Sequence, residues 1–187
     1  MSNIVEALVI TLQNLSGKLV TENPETVVEA LELFNAKYAC IVTFTTTPSG
    51  ATVVVKDATG TAVTKNSNGT FTLKEGSYTY DVSATNYVTS TGNTLSITNA
   101  DETTGTKTVA VTALTGSTFT ITYMDGVTPV VLTPNSYVYG TGVTLNDGST
   151  VTTFDGWYSN AELTGDAVTA VGTTDYGNKT YYAKHTA

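Results

Sequence analysis

"GSYTYDVSATNYVT", residues 76–89, sets Tyr78, Tyr80, Val82 and Ala84 in alternation with Thr79, Asp81, Ser83 and Thr85. Side chains two apart share one face of a strand, so the pattern opposes an aromatic and aliphatic row to a polar row and predicts a half-buried β-strand. The chain around it follows the same period. "CIVTFTTTPSGATVVVKDATGTAV" (40–63) reads as a strand, a Pro-Ser-Gly turn, a strand over Thr52–Lys56, a turn at Asp57–Gly60 and a further strand. In "KNSNGTFTL" (65–73) the pair Asn68-Gly69 predicts a two-residue hairpin, because both residues tolerate positive φ. "NADETTG" (99–105) reads as a polar loop, after which alternation from Lys107 to Leu114 closes a β-sandwich of roughly 75 residues.

Composition points the same way. The chain has 187 residues, 41 of them Thr, 11 Tyr and 16 Gly, and only 13% are charged. β-Branched and aromatic residues suit pleated, half-buried surfaces, and so little charge argues against a long disordered tail. The length accommodates two or three small modules, and the fold class expected is mainly β. Net charge is −8, and the eight basic residues are all Lys. Without Arg there is no bidentate grip on phosphate or guanine, so a nucleic-acid partner is not expected.

Residues 1–39 have a different character, poor in Thr and rich in Glu and Leu. Val5, Leu8, Leu12, Leu15 and Leu19 recur at spacings of 3, 4, 3 and 4, the seam of a short coiled coil or the apolar face of an amphipathic helix. A second helix is marked by Asn23 as a cap, Pro24 at the first helical position and Glu25 near the positive end of the dipole, with Val27, Leu31, Phe34 and Tyr38 on one face. Two short helices with this much apolar surface are expected to dock or self-associate, which makes residues 1–39 an anchoring and oligomerisation segment. Asn3, Glu6, Thr11, Gln13 and Asn14 interrupt the apolar run, which therefore reads neither as a signal-peptide core nor as a membrane span.

The motifs "TPSGATVVVKDATG" (47–60) and "LKEGSYTYDVSATNYVTSTG" (73–92) give residues 40–115 a resemblance to the PEGA family of small β-sandwich domains on microbial surface proteins. That family is marked by a Gly-x-Tyr strand leading to an Ala-x-Gly-Tyr corner. Gly76 and Tyr78 match the first part, Ala84 and Tyr87 the second, with Asn86 where the family has Gly. Asn is the best substitute where φ must be positive, so the resemblance implies a left-handed Asn86.

A second resemblance covers residues 116–187. "TFTITYMDG" (118–126), "SYVYGTGVTL" (136–145), "TFDGWYSNAEL" (153–163) and "KTYYAKHTA" (179–187) follow in an order similar to the Listeria-Bacteroides repeat, the β-grasp-like module of internalin B-type surface proteins. Matching positions are Tyr139, Gly140, Phe154, Gly156, Trp157, Tyr158, Tyr182, Ala183 and Lys184. At His185 the family has Trp, so a smaller, titratable ring replaces one aromatic of the packed cluster. A unit this small has a marginal core, and large aromatic rings compensate for that. The aromatic core expected for the two modules is Tyr78, Tyr80, Tyr87, Phe154, Trp157, Tyr158 and Tyr182, with Trp157 read as core in preference to an exposed carbohydrate platform.

Catalytic chemistry is not legible. His185 is the only imidazole and Cys40 the only thiol, and they fall in different modules. Asp101-Glu102 reads as a solvated turn, and "NADETTG" offers too few oxygens at defined spacing for calcium. No catalytic residue, metal or cofactor is expected, and the chain reads as a non-enzyme. Both resemblances are to modules displayed outside cells. Together they imply a phage head fibre or capsid decoration protein, made in the cytoplasm and exposed by lysis, docked through residues 1–39 on capsid protein or on itself, and contacting glycans weakly. The rival readings are a bacterial surface adhesin and a carbohydrate-binding accessory module.

Overall fold

The computed structural model describes residues 39–186. The helical expectations for residues 1–39, with Val5, Leu8, Leu12, Leu15, Leu19, Val27, Leu31 and Phe34, lie outside the described residues apart from residue 39. The described chain is mainly β and built of several small sheets. It divides into two compact units, 39–82 with 91–112, and 83–90 with 113–186.

In the first unit β1 (Cys40–Thr45), β2 (Thr52–Lys56), β3 (Phe71–Leu73), β4 (Gly76–Ser83), β5 (Ser90–Ile97) and β6 (Thr106–Ala110) form two three-stranded sheets. Their orders are β3-β1-β6 and β2-β4-β5. β1 runs antiparallel to β3 and parallel to β6, with Val42 opposite both Phe71 and Lys107. Alternation selects the inner faces. Cys40 and Val42, Val53 and Val55, Phe71 and Leu73, Tyr80 and Val82, and Leu95 and Ile97 are all buried. Phe44 contacts Phe71 edge-on at 5.8 Å and Tyr80 at 5.0 Å, adding a small aromatic contact to a mostly aliphatic core.

Three local features differ from the expectations. The segment after Asp57–Gly60 forms only a bridge, Lys56 to Ala62, rather than a strand. Asn68-Gly69 is not a two-residue hairpin. Gly69 alone is left-handed (φ 86), Gly69 N donates to Asn66 O and Asn66 N donates to Thr70 O, which closes a three-residue turn with a bulge at the glycine. Asp57–Thr61 repeats these two bonds around Gly60 (φ 86). The "polar loop" holds a one-and-a-half-turn helix, α1 (Asn99–Thr104). Thr98 and Asp101 form a reciprocal capping box and Gly105 ends the helix at φ 79, so residues that favour loops here satisfy helix termini instead. Lys107 Nζ lies 2.9 Å from Asp101 Oδ2; with the Thr98 bonds it holds the Asp101 carboxyl down at about 2.

The second unit contains β7 (Thr118–Asp125), β8 (Thr128–Val130), β9 (Ser136–Val138), β10 (Val143–Thr144), β11 (Phe154–Tyr158), β12 (Ala170–Val171) and β13 (Lys179–His185). The main sheet has the order β11-β13-β7-β8, and β9 pairs with the first half of β7. β13 runs parallel to β7 and antiparallel to β11, and β10 pairs with β12 apart from this sheet. The core is Ile121, Tyr123, Tyr137, Leu145, Val151, Trp157, Val171, Tyr181 and Ala183.

Residues 83–90 and 113–115, read from the sequence as part of the first module, group with the second unit. Within that unit Tyr87 bridges to Gly116, Val88 N donates to Thr115 O and Ser117 N donates to Asn86 O. The Tyr87 ring meets Tyr139 edge-on at 5.3 Å. Asn86 is left-handed at φ 65. Gly116 is required by close approach, since a Cβ there would lie 1.9 Å from the Tyr139 carbonyl oxygen.

Candidate functional site

The second unit carries a groove of about 350 Å³ between residues 144–147, 154–157 and 167–169. Leu145, Phe154, Trp157, Ala167 and Val168 supply its apolar lining; Thr144, Asn146, Asp147, Asp155 and Thr169 supply the polar part. Two main-chain bonds join its walls at the sheet edge, Val168 N to Trp157 O (2.7 Å) and Leu145 N to Thr169 O (2.9 Å).

A β-bulge in β11 decides which side chains face this groove. Phe154 pairs with His185 and Gly156 with Lys184, leaving Asp155 as the extra residue. Strict alternation would put Phe154 and Trp157 on opposite faces. The bulge shifts the parity and puts both rings on the core side, 4.9 Å apart at 52°. Trp157 is 2% exposed and is core, while Phe154 is half-buried and presents part of its ring. Tyr158 points the other way, with Lys184 Nζ 5.3 Å from its ring centroid.

The aromatic core also builds the neighbouring wall. A buried indole or phenol needs a partner for its polar end. Trp157 Nε1 donates to Asn146 O (2.6 Å), and Tyr123 OH accepts from Asn146 N (3.1 Å) while donating to Pro134 O (3.0 Å). Asn146 spends its side chain on Thr133 O and on Gly148 N. The turn continues through Ser149 N to Asp147 Oδ1 and Val151 N to Gly148 O. Gly148 is left-handed (φ 70), and a Cβ there would sit 2.3 Å from the Phe154 ring, so the ring packs directly on the turn backbone. Among the described residues every buried side-chain polar atom has a partner.

Charge at the groove is acidic. Hydrogen bonds from the Ser149 amide and hydroxyl hold the Asp147 carboxyl below its ordinary value. Asp155 Oδ2 lies 3.6 Å from Lys184 Nζ, whose own value is raised first by the Tyr158 hydroxyl and then by Asp155. A second, more polar depression of about 470 Å³ is lined by Ser159, Ala170, Asp175, Asn178, Lys179 and Tyr182, among others.

His185, where a Trp was expected from the repeat pattern, is anchored at both nitrogens. Nδ1 lies 2.7 Å from Thr152 O and Nε2 2.8 Å from Asp125 Oδ1. Both partners only accept, so the doubly protonated ring satisfies them both, and these bonds raise the His185 value above 6.5.

Tyr80 and Tyr158 are 8% exposed; Tyr78, Tyr87 and Tyr182 are only half-buried. On β13 the core tyrosine is Tyr181, one position earlier than expected, and burial pushes its phenol up to about 12. Tyr123 and Tyr137, both buried, stand outside the expected aromatic core, although the alternation Phe119, Ile121, Tyr123 signals the first. Cys40 is fully buried in the first unit, where desolvation raises its thiol, and His185 belongs to the second. Asp101-Glu102 is not a solvated turn. Glu102 is 8% exposed and its Oε1 accepts from Glu75 N at 2.6 Å, and Asp101 caps α1. Among the described residues no group of three or more His, Cys, Asp or Glu is placed to hold a metal ion, and no helix is long and apolar enough to cross a membrane.

No family model and no curated protein matches the chain. Among solved structures it is similar to the Bacillus anthracis TIE protein, at 12% identity and a TM-score of 0.37, over 79% of this chain and 34% of that one. The chain thus spans about a third of that protein's length, and a likeness of this degree carries no argument about function.

Proposed function

We propose that the chain is a non-enzymatic structural protein displayed on a virion, a head fibre or capsid decoration, with residues 1–39 as the anchor on capsid protein or on itself and the two β units as the displayed part. The observation that carries this reading is the pair of compact β units, each with its own closed core. A chain with one cysteine has no disulfide to stabilise an exposed domain, and these units rest instead on interdigitated aliphatic and aromatic side chains. Many copies on one particle convert weak surface contacts into avidity.

Immunogold electron microscopy of native particles, using antibody raised against residues 40–186, tests the reading. Regular labelling of the particle surface is expected. Leu12→Asp places a charge in the apolar seam and is expected to abolish labelling while both β units stay folded. Unlabelled particles, or incorporation unchanged by Leu12→Asp, overturn it; labelling of host cell walls instead favours the bacterial adhesin.

A further inference from the structure

The groove beside Phe154 has the features of a small-ligand site. Its volume, about 350 Å³, lies in the range of about 300 to 1,000 Å³ that such sites occupy, and a few polar groups converge on a mainly apolar surface. Its walls are preformed, since Trp157, Tyr123, Asn146 and Gly148 fix the turn that carries Asp147, so little ordering opposes binding.

The chemistry of the lining selects among ligands. An alkylammonium calls for a cage of several ring faces, yet Trp157 is 2% exposed and Phe154 alone presents part of a ring. Asp155 already has a cation, Lys184 Nζ at 3.6 Å. An anionic ligand meets the ionised Asp147 and a chain of net charge −8. A neutral sugar ring meets neither obstacle. It offers a C–H face to one aromatic ring and hydroxyls that donate to carboxylates and exchange bonds with threonine.

We infer that this groove binds a neutral pyranose, stacked by one face on Phe154, with its hydroxyls bonded to Asp147, Asp155, Thr144 and Thr169. This deepens the display reading, on which it rests, by naming the ligand class taken by the second unit. Asp155 is the extra residue of the bulge and is exposed, and Thr144 and Thr169 are exposed on the two flanking segments, so all three are substitutable without opening the core.

The test is titration calorimetry of the full chain with lactose, cellotetraose and chitotriose as neutral probes, beside sialyllactose and tetramethylammonium. At least one neutral saccharide is expected to bind. Asp155→Asn and Thr169→Lys are each expected to weaken it about tenfold or more, with unchanged Trp emission and Tm showing that the unit stays folded. The inference is overturned if no neutral probe binds, if sialyllactose or tetramethylammonium binds better, or if both variants bind as the parent does. Saccharide binding by a chain absent from particles removes the display reading and keeps the groove; a particle-borne chain that binds no neutral probe does the reverse.

Discussion

The two units close their cores with different side chains, and the difference reaches the surface. The first is mostly aliphatic inside, with Val42, Val53, Val55, Val82, Leu73 and Ile97 buried. Such groups fill space and ask nothing of the loops around them. The second relies on Tyr123, Tyr137, Trp157 and Tyr181. The polar ends of three of them reach loops: Tyr123 OH to Pro134 O, Tyr137 OH to Gly177 O (2.6 Å) and Trp157 Nε1 to Asn146 O. An aromatic core therefore fixes loops as well as volume, and the groove stands on a turn held in this way.

Trp157→Ala is expected to have the largest effect. It is expected to cost the second unit about 3–5 kcal/mol in urea unfolding, through the lost ring and the cavity left behind, with the first unit's transition unmoved. Gly148→Ala comes next, at about 1–3 kcal/mol, because its methyl group meets the Phe154 ring and its φ is left-handed. A wild-type midpoint for this variant would show that the ring does not pack on the turn. Tyr137→Phe, which keeps the ring and loses one bond to Gly177 O, is expected to cost about 1 kcal/mol. Amide exchange should rise locally around Gly177.

The units also carry opposite pH signatures. The Asp101 carboxyl is depressed to about 2, so its contribution to the first unit is present above its ordinary 3.8 and lost as pH falls through about 2. The His185 value is raised above 6.5, so its contribution to the second unit is complete below 6.5 and lost as pH rises through the folded value. Thermal melts between pH 5.5 and 8.5 should show Tm of the second unit falling with pH, and His185→Gln should flatten that slope. An unchanged slope in the variant would remove the His185 clamp.

Much of the fold was legible because strand alternation and glycine turns are local signals. Thr52–Lys56 and the Tyr80 and Val82 face lie where the patterns place them. Asn86, placed at positive φ by its position in the corner motif, is left-handed. What escaped depends on register. The bulge at Asp155 is set by pairing with β13, so no reading of "TFDGWY" as a simple strand puts Phe154 and Trp157 on one side. Tyr181 and Tyr182 are adjacent, and only the pairing of β13 with β7 and β11 shows which one enters the core. The short helix after Thr98 was written in its capping residues, Thr98 and Asp101, but its polar composition reads as loop. Asn146 gives no sequence signal for its role, because the role consists of main-chain bonds to the distant Trp157 and Tyr123.

Two-dimensional amide NMR of the full chain titrated with a neutral saccharide tests most directly whether the aromatic unit presents the binding surface. Shifts confined to residues 144–147, 154–157 and 167–169 are expected, with the strands of the first unit unchanged. Shifts centred on the first unit, or none in those three segments at saturating saccharide, would contradict it.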